Sequence, residues 1–197
     1  MRRGAGAFAC ALLSIVLAGC ATSRCPQLAP EVAYCLQPSG AAPRMTLLQE
    51  VVVTQAERVD TLLVQTENSA TQLAVVGVSP LGQTLLSATW DGAAVHVKPV
   101  APSFAPSPGA MLAFAQFGLM SFDELGAGFA ADLHRARELR EDGGTLFLRD
   151  MSGRTLIEIR RDGQRPPFAR TRIQLPTIAL DIQARALDPS PSAPASP

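Results

Sequence analysis

The reactive chemistry this sequence offers is carried by four cysteines, two histidines and the adjacent carboxylates Asp123 and Glu124. Cys20 follows Leu17, Ala18 and Gly19, small residues that suit a peptidase groove, and its thiol is a nucleophile able to accept an acyl group. Cys10 lies upstream, which leaves Cys25 and Cys35. These two can pair in an oxidising compartment, closing a short loop that contributes at most about 2 to 3 kcal/mol. The other reading is two free thiols on a flexible segment. Two thiolates with no histidine nearby do not complete a tetrahedral metal shell, so no metal is expected. His96 falls on the polar face of a short strand and His134 at a helix end, where either could serve as a general base but where a solvated surface histidine is the better reading. Asp123 and Glu124 resemble a catalytic pair only until Ser121 is considered, because Ser-Phe-Asp-Glu is a capping box. No G-x-S-x-G elbow, H-E-x-x-H, P-loop or Gly-rich dinucleotide fingerprint is present. The expectation is therefore a non-enzymatic protein without a cofactor.

The elements that position these groups begin with the N-terminus. Arg2 and Arg3 precede an apolar run over residues 8–17, too short to span a bilayer, in the order of a secretory signal peptide. Leu17-Ala18-Gly19-Cys20 resembles the lipobox of bacterial lipoproteins, which implies removal of residues 1–19 and acylation of Cys20 as the first mature residue. A multiply acylated cysteine does not leave a bilayer unaided. Ala21 follows, and by the sorting rule of that resemblance a residue other than aspartate favours the outer membrane, with the domain facing the periplasm. Lysines and arginines total 17 and acids 17, so no net charge draws the chain to nucleic acid.

Residues 20–44 hold several prolines and no sustained period, and are expected to be a lipidated tether with at most one ordered turn. The folded domain is expected over residues 45–188. In residues 46–54, Leu47, Val51 and Val53 share one face with Gln49, and Leu48, Glu50 and Val52 share the other. Short β-rich runs follow at 59–66, 73–78, 84–90 and 94–97, an antiparallel meander. Between the third and fourth elements stands Ser79-Pro80-Leu81-Gly82-Gln83, in which proline presets φ early in the turn, glycine supplies φ > 0 later, and Leu81 is held at the tip. After a proline-rich loop the period changes, and two helices are expected over about 108–134. Ser107 caps the first with Pro108 at its first position, and Ser121 caps the second, with Met120 and Leu125 as a hydrophobic staple. Gly126 and Gly128 each cost about 1 kcal/mol in a helix interior, which makes the second helix marginal and the pair a candidate mobile lid. Strands resume at 145–150, 154–160, 169–175 and 178–183, and the Pro/Ser/Ala tail 189–197 is expected to be disordered. The fold class is α+β, an antiparallel sheet whose apolar face is covered by helices, by curvature or by a ligand.

The stretches VVGVSPLGQTLLSATWDG and MLAFAQFGLMSFDELGAGF, with LIEIRRDG and IQLPTIALDIQ, resemble the LolB family of outer-membrane lipoprotein receptors. They are still more similar to an uncharacterised family of small LolB-like lipoproteins found with aryl-polyene lipid genes. The resemblance implies a LolA/LolB-like half-barrel of curved antiparallel strands, its open side plugged by helices around a hydrophobic cavity for acyl chains such as palmitate. It also implies that Pro80, Leu81 and Gly82 present a leucine used in delivering lipidated cargo to the membrane, received from a periplasmic carrier protein by a monomer. Lid and cavity candidates are Met111, Phe114, Phe117, Phe122, Leu125 and Phe129 on the helices and Leu86, Trp90, Ile157 and Ile159 on the sheet. With one Trp and one Tyr the chain is poorer in aromatics than LolB, which leaves acyl or polyene lipids open beside lipoprotein cargo. The alternative function is a structural lipoprotein of the envelope whose apolar surfaces fill themselves. A carrier calls for an apolar cavity of roughly several hundred Å³ between lid and sheet.

Overall fold

The computed structural model describes residues 24–98, 106–133, 138–163 and 165–187. Cys20, His134, the signal segment and the tail therefore lie outside the described residues.

Alternating side chains make the strands. In β3 (Met45–Gln55) Leu47, Gln49, Val51 and Val53 are buried between more exposed neighbours, and β4 (Arg58–Asn68) buries Leu62, Val64, Thr66 and Asn68 in the same way. Both follow the two-residue period of a sheet with one covered face. β5 (Leu73–Val78), β6 (Thr84–Trp90) and β7 (Val95–Val97) complete the first meander. β8 (Glu138–Asp142), β9 (Thr145–Arg149), β10 (Thr155–Asp162), β11 (Arg170–Leu175) and β12 (Leu180–Ala186) form a second. The last strand pairs antiparallel with β3, Ile182 opposite Val53 and Ala186 opposite Gln49, and so joins the two meanders. One ten-stranded antiparallel sheet results, in the order β7-β6-β5-β4-β3-β12-β11-β10-β9-β8, and it is not closed into a barrel.

The connection from the β7 edge to the β8 edge carries α1 (Pro108–Leu119) and α2 (Phe122–Leu133). Ser107 Oγ accepts from the Ala110 amide with Pro108 at the first position. At α2 the Ser121 amide donates to Glu124 Oε2 at 2.7 Å and the Glu124 amide to Ser121 Oγ at 3.3 Å, a reciprocal capping box. Met120 and Leu125 on either side of it are both buried. α1 packs against β5, β6 and β11, and α2 against β8 and against a short N-terminal strand, Val32–Ala33. All residues of α1 from Gly109 to Leu119 except Ala115 are buried. A helix apolar all round needs cover on more than one side.

That cover is the N-terminal segment, and here the expected tether is overturned. Residues 24–44 hold β1 (Gln27–Ala29), β2 (Val32–Ala33) and a 3-10 turn (Ser39–Ala41), and they lie over the helices as a strap. Cys25 and Cys35 are bonded to each other across the β1–β2 hairpin. Val32, Tyr34 and Leu36 are fully buried, and the Tyr34 ring meets Phe117 and Phe129 edge-on at centroid distances of 4.8 and 5.0 Å. Polar bonds fasten the strap at both ends of its path. The Cys35 amide donates to the Gly128 carbonyl at 2.9 Å, and Gln37 exchanges hydrogen bonds with the Gln116 side chain at 3.0 and 2.7 Å. Trp90 Nε1 donates to the Gln37 carbonyl at 2.9 Å, and Asn68 Nδ2 reaches the carbonyls of Ser39, Ala42 and Pro43. The prolines hid this segment because its order comes from long-range partners and not from any local period. The folded unit therefore begins at least as early as Arg24.

Gly128 also has a different role from the one expected. A methyl built on it would sit 2.6 Å from Tyr34 Cζ and closer still to Cε2. The glycine costs helix propensity, and in return it lets the tyrosine ring lie against the helix backbone.

Candidate functional site

Two places concern function: the tip of the β5–β6 hairpin and the space between α1 and the sheet. At the tip the Gly82 amide donates to the Ser79 carbonyl at 2.8 Å and the Ser79 amide to the Gln83 carbonyl at 2.8 Å. Gln83 N–H is also accepted by Ser79 Oγ at 3.2 Å, and Gly82 has φ +80°. Pro80 and Gly82 thus make the turn, and the Leu81 side chain takes no part in it. Leu81 is 88% exposed, the most exposed large apolar side chain among the described residues. Its two strands are fixed by Leu73, Val75, Leu86 and Trp90, all buried, so the leucine is carried on a rigid arm.

Beneath α1 the apolar space is small. A cavity of about 30 Å³ is bordered by α1 and by β3, β4, β5, β11 and β12. That is room for a molecule of about the size of water and far short of an acyl chain. The roughly several hundred Å³ expected of a carrier is absent from this closed arrangement. Of the ten lid and cavity candidates only Met111 and Phe114 border the cavity. Phe117 and Phe129 turn to the strap and pack on Tyr34. Phe122 lies on the Arg161 guanidinium, and Leu125, Leu86, Trp90, Ile157 and Ile159 are buried without bordering it. The strap claims three of the five aromatic side chains among those candidates, Phe117, Phe129 and, through its indole N–H, Trp90. Three polar residues that the pattern did not single out border the cavity: Gln49, Thr66 and Thr171. The available signal was Gln49 standing in phase with Leu47, Val51 and Val53.

Arg161 on β10 is the other side chain that sequence reasoning missed. It is 6% exposed and sits between two rings, 3.6 Å from the Phe122 centroid and 4.4 Å from that of Phe168. Its Nη1 donates to the carbonyls of Phe117, at 3.2 Å, and Met120. A cation on the last carbonyls of a helix offsets their unsatisfied acceptors and the dipole, so Arg161 pins the C-terminal end of α1 to the sheet. Burial pushes its pKa down to about 10, against the partial opposition of Glu141 and Glu124. A cleft of about 440 Å³ beside it is lined by Ser121, Asp123 and Glu141 among others, and a second of about 370 Å³ by Glu50, Asp162 and four arginines. The first is also walled by Phe122, Pro166 and Phe168, but both clefts carry several ionisable side chains, which the space under α1 does not.

Of the groups able to do acid–base chemistry, His96 is exposed and its Nε2 lies 2.7 Å from Asp91 Oδ2, a surface pair closing the β6–β7 turn. Asp123 is exposed and Glu124 is held by the capping box. Among the described residues no cluster of His, Cys, Asp or Glu could hold a metal ion, and no helix is long and apolar enough to cross a membrane.

Residues 46–183 match the model of a family described as a protein of unknown function, DUF3261. The chain belongs to this family. The matched stretch runs from β3 into β12 and so takes in the Leu81 hairpin, both helices and the strand pair that joins the meanders. The strap precedes the part that defines DUF3261, although it packs against it. No curated protein matches the chain.

Proposed function

We propose that this DUF3261 protein is an envelope lipoprotein, anchored through Cys20 at the periplasmic face of the outer membrane, that holds an acyl lipid or lipidated protein and passes it on. The exposure of Leu81 carries the reading. A leucine left in water forgoes about 1.5 to 3 kcal/mol of burial, and the turn does not need it, because Pro80 and Gly82 suffice. Its use is therefore contact with something outside the chain, and an apolar tip on a stiff hairpin suits a bilayer or an acyl chain. In this reading the sheet curves as a LolA/LolB-like half-barrel, a periplasmic carrier supplies the cargo, and the chain works as a monomer without enzymatic activity. An acyl chain cannot fit in about 30 Å³, so cargo is admitted only when α1 lifts from the central strands.

The same volume favours a second reading, a structural lipoprotein whose core is filled by its own helices and strap while Leu81 docks on an envelope partner. Mass spectrometry of lipid extracted from the gently purified mature chain, with Cys20→Ser to prevent acylation, separates the two. The carrier reading expects a co-purifying lipid, or saturable binding of an added fluorescent fatty acid. If neither is found, the structural reading stands.

A further inference from the structure

The cavity under α1 has an unusual floor. Its lining contains no ionisable side chain and is otherwise made of residues such as Val51, Val64, Met111 and Ile182. Yet Thr66, Thr171 and Gln49 border it at 1%, 4% and 7% exposure. The hydroxyls of Thr66 and Thr171 are buried and have no hydrogen-bond partner among the described residues. Native proteins seldom leave such groups unpaired, and each orphan calls for a partner that the described residues do not provide. The strand register sets these residues in a band. Thr66 lies opposite Leu47 on β3, two positions from Gln49, and Gln49 faces Ala186 on β12. Thr171 faces Ala184, the next inward residue of β12. Ala184, Ala186 and the Gly118 backbone above Thr171 keep the band free of bulk, since even a methyl on Gly118 would stand 3.6 Å from the Thr171 hydroxyl.

Resting on the lipid-binding reading, we propose that Gln49, Thr66 and Thr171 recognise the head of a single acyl chain, and that this head is an uncharged hydrogen-bonding group: an ester, an amide or a protonated carboxylic acid. The chemistry excludes a phosphodiester at this place, because no side chain of the lining could neutralise a buried charge. With α1 in place the space admits water, which can satisfy the hydroxyls until α1 lifts and a ligand carbonyl or hydroxyl replaces it. The polar band therefore fixes how far and which way round the ligand enters, while the apolar lining supplies contact area.

The test uses the full mature chain with Cys20→Ser and two probes, monopalmitoylglycerol and hexadecane, each displacing a fluorescent fatty acid. Thr66→Val with Thr171→Val keeps the shape and removes both hydroxyls. The expected result is a loss of about tenfold or more in affinity for monopalmitoylglycerol, no change for hexadecane, and a Tm no lower than that of the parent. Thr66→Ser with Thr171→Ser, which keeps the hydroxyls, should bind as the parent does. Undiminished affinity of the valine variant for monopalmitoylglycerol, or an equal loss for both probes, overturns the proposal while leaving lipid binding intact. A valine variant that unfolds or melts much earlier also overturns it, since the hydroxyls would then be structural. If the parent chain binds neither probe, the lipid-binding reading itself fails.

Discussion

Tyr34 and Leu81 invert what their surroundings suggest. Tyr34 stands in a proline-punctuated segment with no period and is 0% exposed, while Leu81 stands between two strands of core residues and is 88% exposed. Tyr34 is buried because distant groups converge on it: the rings of Phe117 and Phe129, and Gly128, which has no side chain to keep the ring off. Leu81 is exposed because its neighbours Pro80 and Gly82 meet the turn's backbone needs locally, with nothing left for the leucine to contact. Burial is thus a property of tertiary partners in the first case and of turn chemistry in the second, and hydrophobicity predicts neither.

The most damaging way to break this contrast is to push on the strap. Gly128→Ala should lower stability by about 2 to 3 kcal/mol despite gaining helix propensity, because the ring cannot retreat between two phenylalanines. Gly126→Ala is the matched control. Its methyl would meet Leu139 Cδ2 at 3.3 Å, a far end that can give by a few tenths of an ångström, so propensity should leave it neutral or better. Denaturant unfolding of the two variants, two residues apart on the same helix, measures the difference. Opening the Cys25–Cys35 bond, by reductant or Cys35→Ser, should cost about 2 to 3 kcal/mol for a loop of this length. A Tm unchanged by reductant would show that the strap holds without its covalent closure.

A smaller effect follows from the phenol. Burial, and secondarily the charge of Glu124, raise the Tyr34 pKa above its ordinary value of about 10. The unfolded chain therefore loses this proton first, and stability should fall as pH rises above about 10. Arg161, with a pKa lowered to about 10, works in the opposite sense over the same window, because there the folded state gives up its proton first. Tyr34→Phe should remove the alkaline loss. It should also melt no lower at neutral pH, since the Tyr34 hydroxyl is buried with no hydrogen-bond partner among the described residues. If alkaline unfolding is the same in both proteins, the tyrosine is not the group responsible.

How much of this could be read beforehand depended on distance along the chain. The alternation in β3 and β4, the Ser107 and Ser121 caps and the turn at Pro80 and Gly82 are all written within a few residues, and each appears where its pattern puts it. Hidden features join remote segments: β12 inserting beside β3, Asn68 and Trp90 holding the strap, and Arg161 closing α1 across more than forty residues. The helix glycines show the limit most clearly. Locally Gly126 and Gly128 carry the same penalty, and only the ring lying on one of them tells them apart. Cavity volume was equally illegible, because Phe117 and Phe129, which pattern as lining, are taken up by a segment that patterns as linker.

The smallest expected change in stability belongs to the residue with the largest expected consequence for function. Leu81→Glu replaces a side chain with nothing packed around it, at a tip whose backbone bonds depend on Ser79, Gly82 and Gln83. Surface substitutions of this kind usually stay within about 0.5 kcal/mol, and the melting temperature should hardly move. A carboxylate at the same place, however, is repelled by an apolar surface and disfavours any contact that removes it from water. On the carrier reading, binding of a fluorescent fatty acid should persist while its transfer from protein to acceptor vesicles is lost, because the cavity is untouched and only the contact point is changed. Loss of binding together with stability would mean that Leu81 folds back onto the domain in solution. Unimpaired transfer would mean that the exposed leucine is not the point of delivery, and would return the tip to the status of a turn.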